Sequence, residues 1–277
     1  MALESRMIRS LASPERLWRL LMTGLCFVLF GLGGLLLSQV WFNLLLLCVR
    51  NRYTRRRLAR RSISVSFRVF LTIARTVGAL DYRIYNARTL REEQGCLIVA
   101  NHPTLLDYVL LASVMPETDC LVKSSLLKNP FLSGVIRAAD YLINSEADAL
   151  LSQSQTRLAH GDTIMIFPEG TRTRPGEKMT LHRGAAHIAV RCHCDIRTVA
   201  IRCSEHLLDK QSKWYHVPPT RPLFEATPGE RVQIDHFCDV NEQEPARAAR
   251  QLTRHLLLKL QSVESTFSGL NDASALS

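Results

Sequence analysis

The segment from Leu20 to Val49, LLMTGLCFVLFGLGGLLLSQVWFNLLLLCV, carries no charged residue and is bounded by Arg19 and Arg50. A bilayer hydrocarbon core needs about 20 apolar residues in helical form, so this run is long enough to span with tilt and still leave a turn at an interface. Gly31, Gly33 and Gly34 leave two forms open, a spanning helix and a re-entrant hairpin broken at the glycines. A cleaved leader is disfavoured, because the run is too long and ends in arginines without a small-residue cleavage site. Immediately after it comes RNRYTRRRLARR, residues 50–61. By the positive-inside bias this cluster keeps the following chain in the cytoplasm. Each arginine near an anionic leaflet adds on the order of 1 kcal/mol, so the cluster is also expected to hold the chain against the membrane. The formal net charge of +10 calls for an anionic partner, and its crowding beside the apolar run favours a membrane surface over nucleic acid.

The next stretch, SISVSFRVFLTIARTVGAL (62–80), reads as a helix with Arg68, Thr72 and Arg75 on one narrow stripe and apolar residues around the rest. That suits a helix lying in an interface or one in a domain core. Five regions result: a basic N-terminal segment (1–19), a membrane-spanning or re-entrant helical segment (20–49), an arginine-rich juxtamembrane and interfacial helix (50–80), a cytoplasmic domain (81–264) and a disordered tail (265–277).

Within the domain, short apolar runs alternate with amphipathic stretches. GCLIVA (95–100), CLVK (120–123), DTIMIF (162–167), IRTVAIRC (196–203) and RVQIDHFCDV (231–240) read as strands. LLDYVLLASVM (105–115), ALLSQSQTRLAH (149–160), GAAHIAVRC (184–192) and PARAARQLTRHLLLKLQSVES (245–265) read as helices. This alternation predicts an α/β fold with a mostly parallel sheet flanked by helices. The eight cysteines are scattered and suit reduced, buried thiols. RCHCD lacks the second cysteine pair that a structural zinc site requires, so no metal is expected.

The chemistry is carried by two short stretches. In ANHPTLLD (100–107), His102 follows a predicted strand at its carboxyl end, where open α/β sheets place their sites. A helix would put residues 102 and 107 about 140° apart, so His102 and Asp107 can meet only across a turn, for which Pro103 is suited. Asp107 could then accept a hydrogen bond from one imidazole nitrogen and leave the other as a base. Unpaired, His102 would merely cap a turn and Asp107 favour a helix N-terminus. The second stretch, FPEGTRTRPG (167–176), also follows a buried strand and gathers Glu169, Gly170, Thr171, Arg172 and Arg174. Gly170 permits close backbone approach, and the arginines offer forked donors to phosphate or carboxylate.

NHPTLLD and FPEGTR resemble the NHxxxxD and FPEGTR motifs of the glycerolipid acyltransferases typified by 1-acyl-glycerol-3-phosphate (lysophosphatidic acid) acyltransferases. KSSLLKNPFLSG, with Lys123, Leu126, Pro130 and Gly134, and HRGAAHIA (182–189) are similar to further stretches of that family. The likeness covers roughly residues 65–225. It implies that His102 deprotonates the acceptor hydroxyl as it attacks an acyl thioester, that Asp107 orients the imidazole, and that Glu169, Gly170, Thr171 and Arg172 bind the acceptor. The implied partners are a lipid bilayer, a lysolipid acceptor and an acyl donor on coenzyme A or acyl carrier protein, with no other cofactor. The compact single-domain layout suggests a bacterial source, and with the positive-inside bias the expected location is a bacterial inner membrane with the domain on its cytoplasmic side.

Two departures bear on the acceptor. Where the family has G-x-x-F-I-x-R, this chain reads ADYLINS (139–145), with Ser145 in place of the phosphate-binding arginine, and Thr198 replaces a proline in the last motif. Losing one charge-assisted contact costs about 1.5–3 kcal/mol. A lyso-aminolipid or other non-phosphate acceptor therefore stands beside lysophosphatidate, with Lys123, Arg137 and Arg174 as candidate substitutes for the arginine. A hydrolase using Ser145 lacks a G-x-S-x-G elbow, and an inert adaptor would spread its arginines over the domain.

Overall fold

The computed structural model describes residues 14–144, 146–173, 177–209, 212, 213, 215–238 and 245–274, excepting the side chains of 130, 131 and 263–274. Its first element is a helical rod comprising α1 (Pro14–Leu36), a π-helical turn (Leu37–Trp41) and α2 (Phe42–Cys48). Gly31, Gly33 and Gly34 do not break this rod, and a Cβ at any of them would meet open space. The irregularity falls instead at buried Ser38, beside Gly134 on α6 (Pro130–Ala139). A Cβ on Gly134 would lie 2.4 Å from Ser38 Oγ and 2.5 Å from its carbonyl oxygen, so only glycine admits this approach.

The chain then turns back as α3 (Arg52–Thr76), whose N-terminus is capped by Asn51 accepting the Thr54 N–H at 3.0 Å. The two helices run antiparallel along their length. Trp18 Nε1 donates to Val77 O (3.1 Å), Phe30 packs on Phe67 and Phe70, and Trp41 Nε1 donates to Ser62 Oγ (3.0 Å). Ala59, Arg60, Ile63, Ser64, Leu71 and Ala74 form the buried stripe of α3, while Val65, Val69 and Ile73 are exposed. The expected polar stripe is partly tied down, since Arg68 reaches Ser113 O (3.2 Å) and Arg75 pairs with Asp81.

Much of the arginine cluster also has partners inside the protein. Arg52 forks onto Asp140 (3.0 and 3.2 Å), Arg56 pairs with Asp162 (2.8 Å), Arg60 with Asp119 (2.6 Å), and Arg57 and Arg61 share Glu117 (2.8 and 2.6 Å). Carboxylates brought in by tertiary folding pair with these cations and staple α3 to the domain, with Arg57 and Arg61 sharing one glutamate.

The sheet has seven strands: β1 (Asp81–Ile84), β2 (Leu97–Ala100), β3 (Asp119–Lys123), β4 (Leu142–Asn144), β5 (Ile164–Ile166), β6 (Ile196–Cys203) and β7 (Leu223–Val232). Their spatial order is β1-β7-β6-β2-β5-β3-β4. Five adjacent strands, β6 to β4, are parallel, while β7 is antiparallel to β6 and parallel to β1. Parallel neighbours need crossover connections, which α4 (Ala87–Glu92), α5 (Asp107–Val114), α6, α7 (Ala147–Ala159) and α8 (Gly184–Cys192) help to supply. One face of the sheet packs against α1, α3 and α5 through residues such as Cys26, Leu71 and Leu110. The other packs against α7, α8 and the C-terminal helix α9 (Pro245–Ser274) through Leu158, Ile188 and Leu252.

Three sequence expectations shift. The last strand begins at Leu223 and ends at Val232, because Pro228 and Gly229, which read as turn formers, are absorbed by a bulge facing Arg197–Val199. A Cβ on Gly229 would come within 2.4 Å of Thr198 Oγ1, so the bulge needs glycine there. The short elements β1, β4, α4 and α6 have no periodicity long enough to announce them. Finally, α9 continues to Ser274, so most of the expected disordered tail is helical; residues 1–13 and 275–277 lie outside the described residues.

Candidate active site

At the end of β2, Asn101 replaces a ladder rung with its side chain. Its Nδ2 donates to Ile201 O (2.8 Å) and its Oδ1 accepts from Ile201 N–H (2.6 Å). The backbone is thus pinned to β6 as it leaves the sheet, and His102 emerges at the carboxyl end of the parallel strands. The turn that follows closes on Asp107, the first residue of α5, which is completely buried. Its carboxylate accepts Thr104 N–H (2.8 Å) and Thr104 Oγ1 (2.5 Å), and its Oδ2 lies 2.8 Å from His102 Nδ1. Because an ionised carboxylate can only accept, Nδ1 carries the proton and Nε2 presents its lone pair. Nε2 makes no hydrogen bond among the described residues, and the ring rests against Phe167 at a centroid distance of 4.7 Å. Burial leaves the Asp107 carboxyl above its ordinary value, with the bonds from His102 and Thr104 opposing that shift.

The second turn holds the histidine from behind. Glu169 Oε1 accepts the His102 N–H at 2.6 Å, and Thr173 N–H donates to His102 O at 3.1 Å. Gly170 adopts φ +69°, and a Cβ there would sit 3.0 Å from the His182 ring. His182 N–H in turn bonds Pro168 O at 2.8 Å, which draws the following chain onto the turn. Arg172 Nη1 donates to both Leu208 O and Asp209 O at 2.8 Å. Leu208 O also accepts the Leu105 N–H at 3.1 Å, so one carbonyl joins both motif turns.

Glu169 and Arg172 therefore spend polar atoms on the protein's own backbone, and Thr171 is the exposed member of the set. Thr104 and Leu208 were not anticipated from sequence. A threonine three residues before an aspartate is a recognisable turn signal, whereas a left-handed leucine (φ +56°) has no signature at all.

The remaining candidates divide. Lys123 is exposed at the carboxyl end of β3, separated from β2 only by β5, and so lies at the same end of the sheet as His102. Arg137 does not join it. It sits in the last turn of α6, which has run back toward Asp140 and the amino-terminal ends of the strands. Thr198 is also removed from the site, buried within β6 against Gly229. Ser145 and Arg174 lie outside the described residues.

With this geometry in place, the likeness to known proteins is specific. Residues 81–202, which contain both motif turns, match the family model named Acyltransferase. Among curated relatives, the human 1-acyl-sn-glycerol-3-phosphate acyltransferase beta is 24% identical over 143 residues, covering 49% of this chain and 51% of the relative. The Helicobacter pylori 1-acyl-sn-glycerol-3-phosphate acyltransferase is 30% identical over 112 residues, covering 38% and 47%. The chain spans about half the length of the curated relatives it matches. In fold, it superposes on the 1-acyl-sn-glycerophosphate acyltransferase PlsC of Thermotoga maritima with a TM-score of 0.64 and 19% identity, over 89% of this chain and 98% of that one.

Proposed function

We propose that this protein transfers a fatty acyl group from an acyl thioester to the hydroxyl of a membrane lysolipid, with 1-acyl-glycerol-3-phosphate as the first acceptor to test. The observation that carries the reading is the 2.8 Å contact between His102 Nδ1 and buried Asp107, with Nε2 left open at the catalytic end of the sheet. The acceptor oxygen attacks the thioester carbonyl, a C–O bond forms, and the hydroxyl proton passes to Nε2. Asp107 stabilises the resulting imidazolium. Collapse of the tetrahedral adduct breaks the C–S bond, and the thiolate takes the proton from Nε2, so no acyl-enzyme is needed. A positioned base of this kind supplies roughly 10²–10⁴ in rate.

The bilayer fits the other side of the molecule. The rod Pro14–Cys48 is long and apolar enough to cross a membrane, yet it lies along α3 instead of projecting from the domain. Its outer side and the Val65, Val69 and Ile73 stripe together offer the apolar face that would meet lipid. An inner-membrane location with the domain toward the cytoplasm follows from this reading and from the sequence.

The test uses the full chain in vesicles with acyl thioester and lysophosphatidate. The expected result is diacyl product by mass spectrometry with equimolar thiol release. Free fatty acid formed without acceptor would instead identify a hydrolase. Ser145 at the place of the phosphate-binding arginine favours a second reading, a lyso-aminolipid acceptor, which the same assay distinguishes by product mass.

A further inference from the structure

On the sheet face opposite α1 and α3, the chain leaving the FPEGT turn and helix α9 border an open recess of about 390 Å³. Lys178 and Arg183 enter it from one side and Arg250 and Arg254 from the other, with Thr180 and Thr253 between them. No aspartate or glutamate lines it, and none of the four cations makes an ion pair among the described residues. Arg250 and Arg254 lie one helical turn apart, where like charges repel. In a protein that pairs most of the arginines on α3 with carboxylates, four cations around one concavity lack a counter-charge among the described residues.

The recess is coupled to the catalytic turn. Lys178 and Arg183 flank His182, whose N–H bonds Pro168 O and whose ring abuts Gly170, beside the glutamate that holds His102. It lies away from the apolar rod, so its ligand arrives from water, not from lipid. If the acyl-transfer reading holds, the one substrate that comes from water is the thioester donor.

We propose that this recess binds the phosphates of the nucleotide portion of a coenzyme A thioester. The pantetheine arm then carries the acyl group to His102, while the lysolipid enters from the apolar side. Arginine forks and a lysine match phosphate oxygens, and Thr180 adds a hydroxyl donor, whereas the Thr253 hydroxyl is given to Ala249 O (2.7 Å). A carrier protein would lay an acidic helix over a broad surface, whereas four exposed cations set around the rim of one small recess suit a compact polyanion.

The experiment measures binding of adenosine 3′,5′-bisphosphate to the full chain in detergent, which needs no turnover, alongside kinetics with acyl-CoA and with the nucleotide-free thioester acyl-pantetheine. The double variant Arg250→Glu/Arg254→Glu should weaken bisphosphate binding and raise the KM for acyl-CoA by about 10–100-fold, as expected for lost charge-assisted contacts. The loss with acyl-pantetheine should be at least tenfold smaller. Arg250→Gln/Arg254→Gln should fall between, and melting temperatures check that both variants fold. Three outcomes would overturn the site: no bisphosphate binding by the wild type, equal losses with both donors, or a loss confined to acyl carrier protein as donor. Bisphosphate binding without acyl transfer from any donor would retain the site and reject the acyltransferase reading.

Discussion

Two concavities carry arginines in this molecule, and they use them differently. At the amino-terminal ends of the parallel strands, a cavity of about 590 Å³ is lined by Arg52, Arg56 and Arg157 together with Asp140 and Asp162. Beside it, Arg60 and Arg157 converge on the completely buried Asp119 at 2.6 and 2.9 Å, and Asp119 also accepts the N–H groups of Cys120 and Leu142. Burial raises the Asp119 carboxyl, and the two guanidiniums oppose that shift. Charge there is matched within the protein and fastens α3, β3, β4 and α7 together. At the other end, His102 keeps Nε2 unbonded and the smaller recess keeps four cations without carboxylates. Matched charge builds; unmatched polar atoms are what a substrate can use.

The comparison can be broken in several places, beginning with the largest effect. His102→Ala should lower kcat by about 10²–10⁴-fold without shifting the melting temperature or vesicle binding; full activity would remove the dyad from the mechanism. Arg60→Ala should destabilise the fold by about 3–5 kcal/mol, since it leaves Asp119 buried with one partner fewer. Denaturant unfolding measures it, and a loss of activity at unchanged stability would mean that the staple end takes part in catalysis. Thr104→Val removes the 2.5 Å hydroxyl bond to Asp107 and should cost about 1.5–3 kcal/mol, shared between stability and kcat. Gly134→Ala forces a Cβ into Ser38 and should cost about 1–3 kcal/mol, read as a lowered melting temperature.

The smallest effect is a pH dependence. Burial alone would raise Asp140, but the hydrogen bond from Arg52 and the charges of Arg157 and Arg52 hold it below its ordinary 3.8. A depressed carboxylate stabilises the fold above its unfolded pKa and loses that contribution as pH falls through the folded value. Arg52→Ala should therefore cost under about 1 kcal/mol at neutral pH, as Arg52 is largely exposed, and the difference from wild type should vanish in acid below the folded value. Thermal melts across pH 2–7 would check it.

Much of this was legible in the chain itself. The apolar run, the alternation that yields β2, β5, β6 and α8, and the two polar turns at strand ends are local patterns, each fixed by side-chain periodicity or by a few adjacent residues. The five-residue step from His102 to Asp107 already required a turn, and Thr104 is the residue that closes it. Not legible was where each arginine ends. RNRYTRRRLARR gives no hint of its partners within the protein because Glu117, Asp119, Asp140 and Asp162 lie 56 to 106 residues from the arginines they pair with. Arg172 likewise found carbonyls 36 and 37 positions on. The sequence by itself determined the elements and the chemistry-bearing turns, because those depend on neighbours along the chain. Only the tertiary structure decided which charges are matched and which stay open, because electrostatic pairing falls off with distance in space and takes no account of separation along the chain.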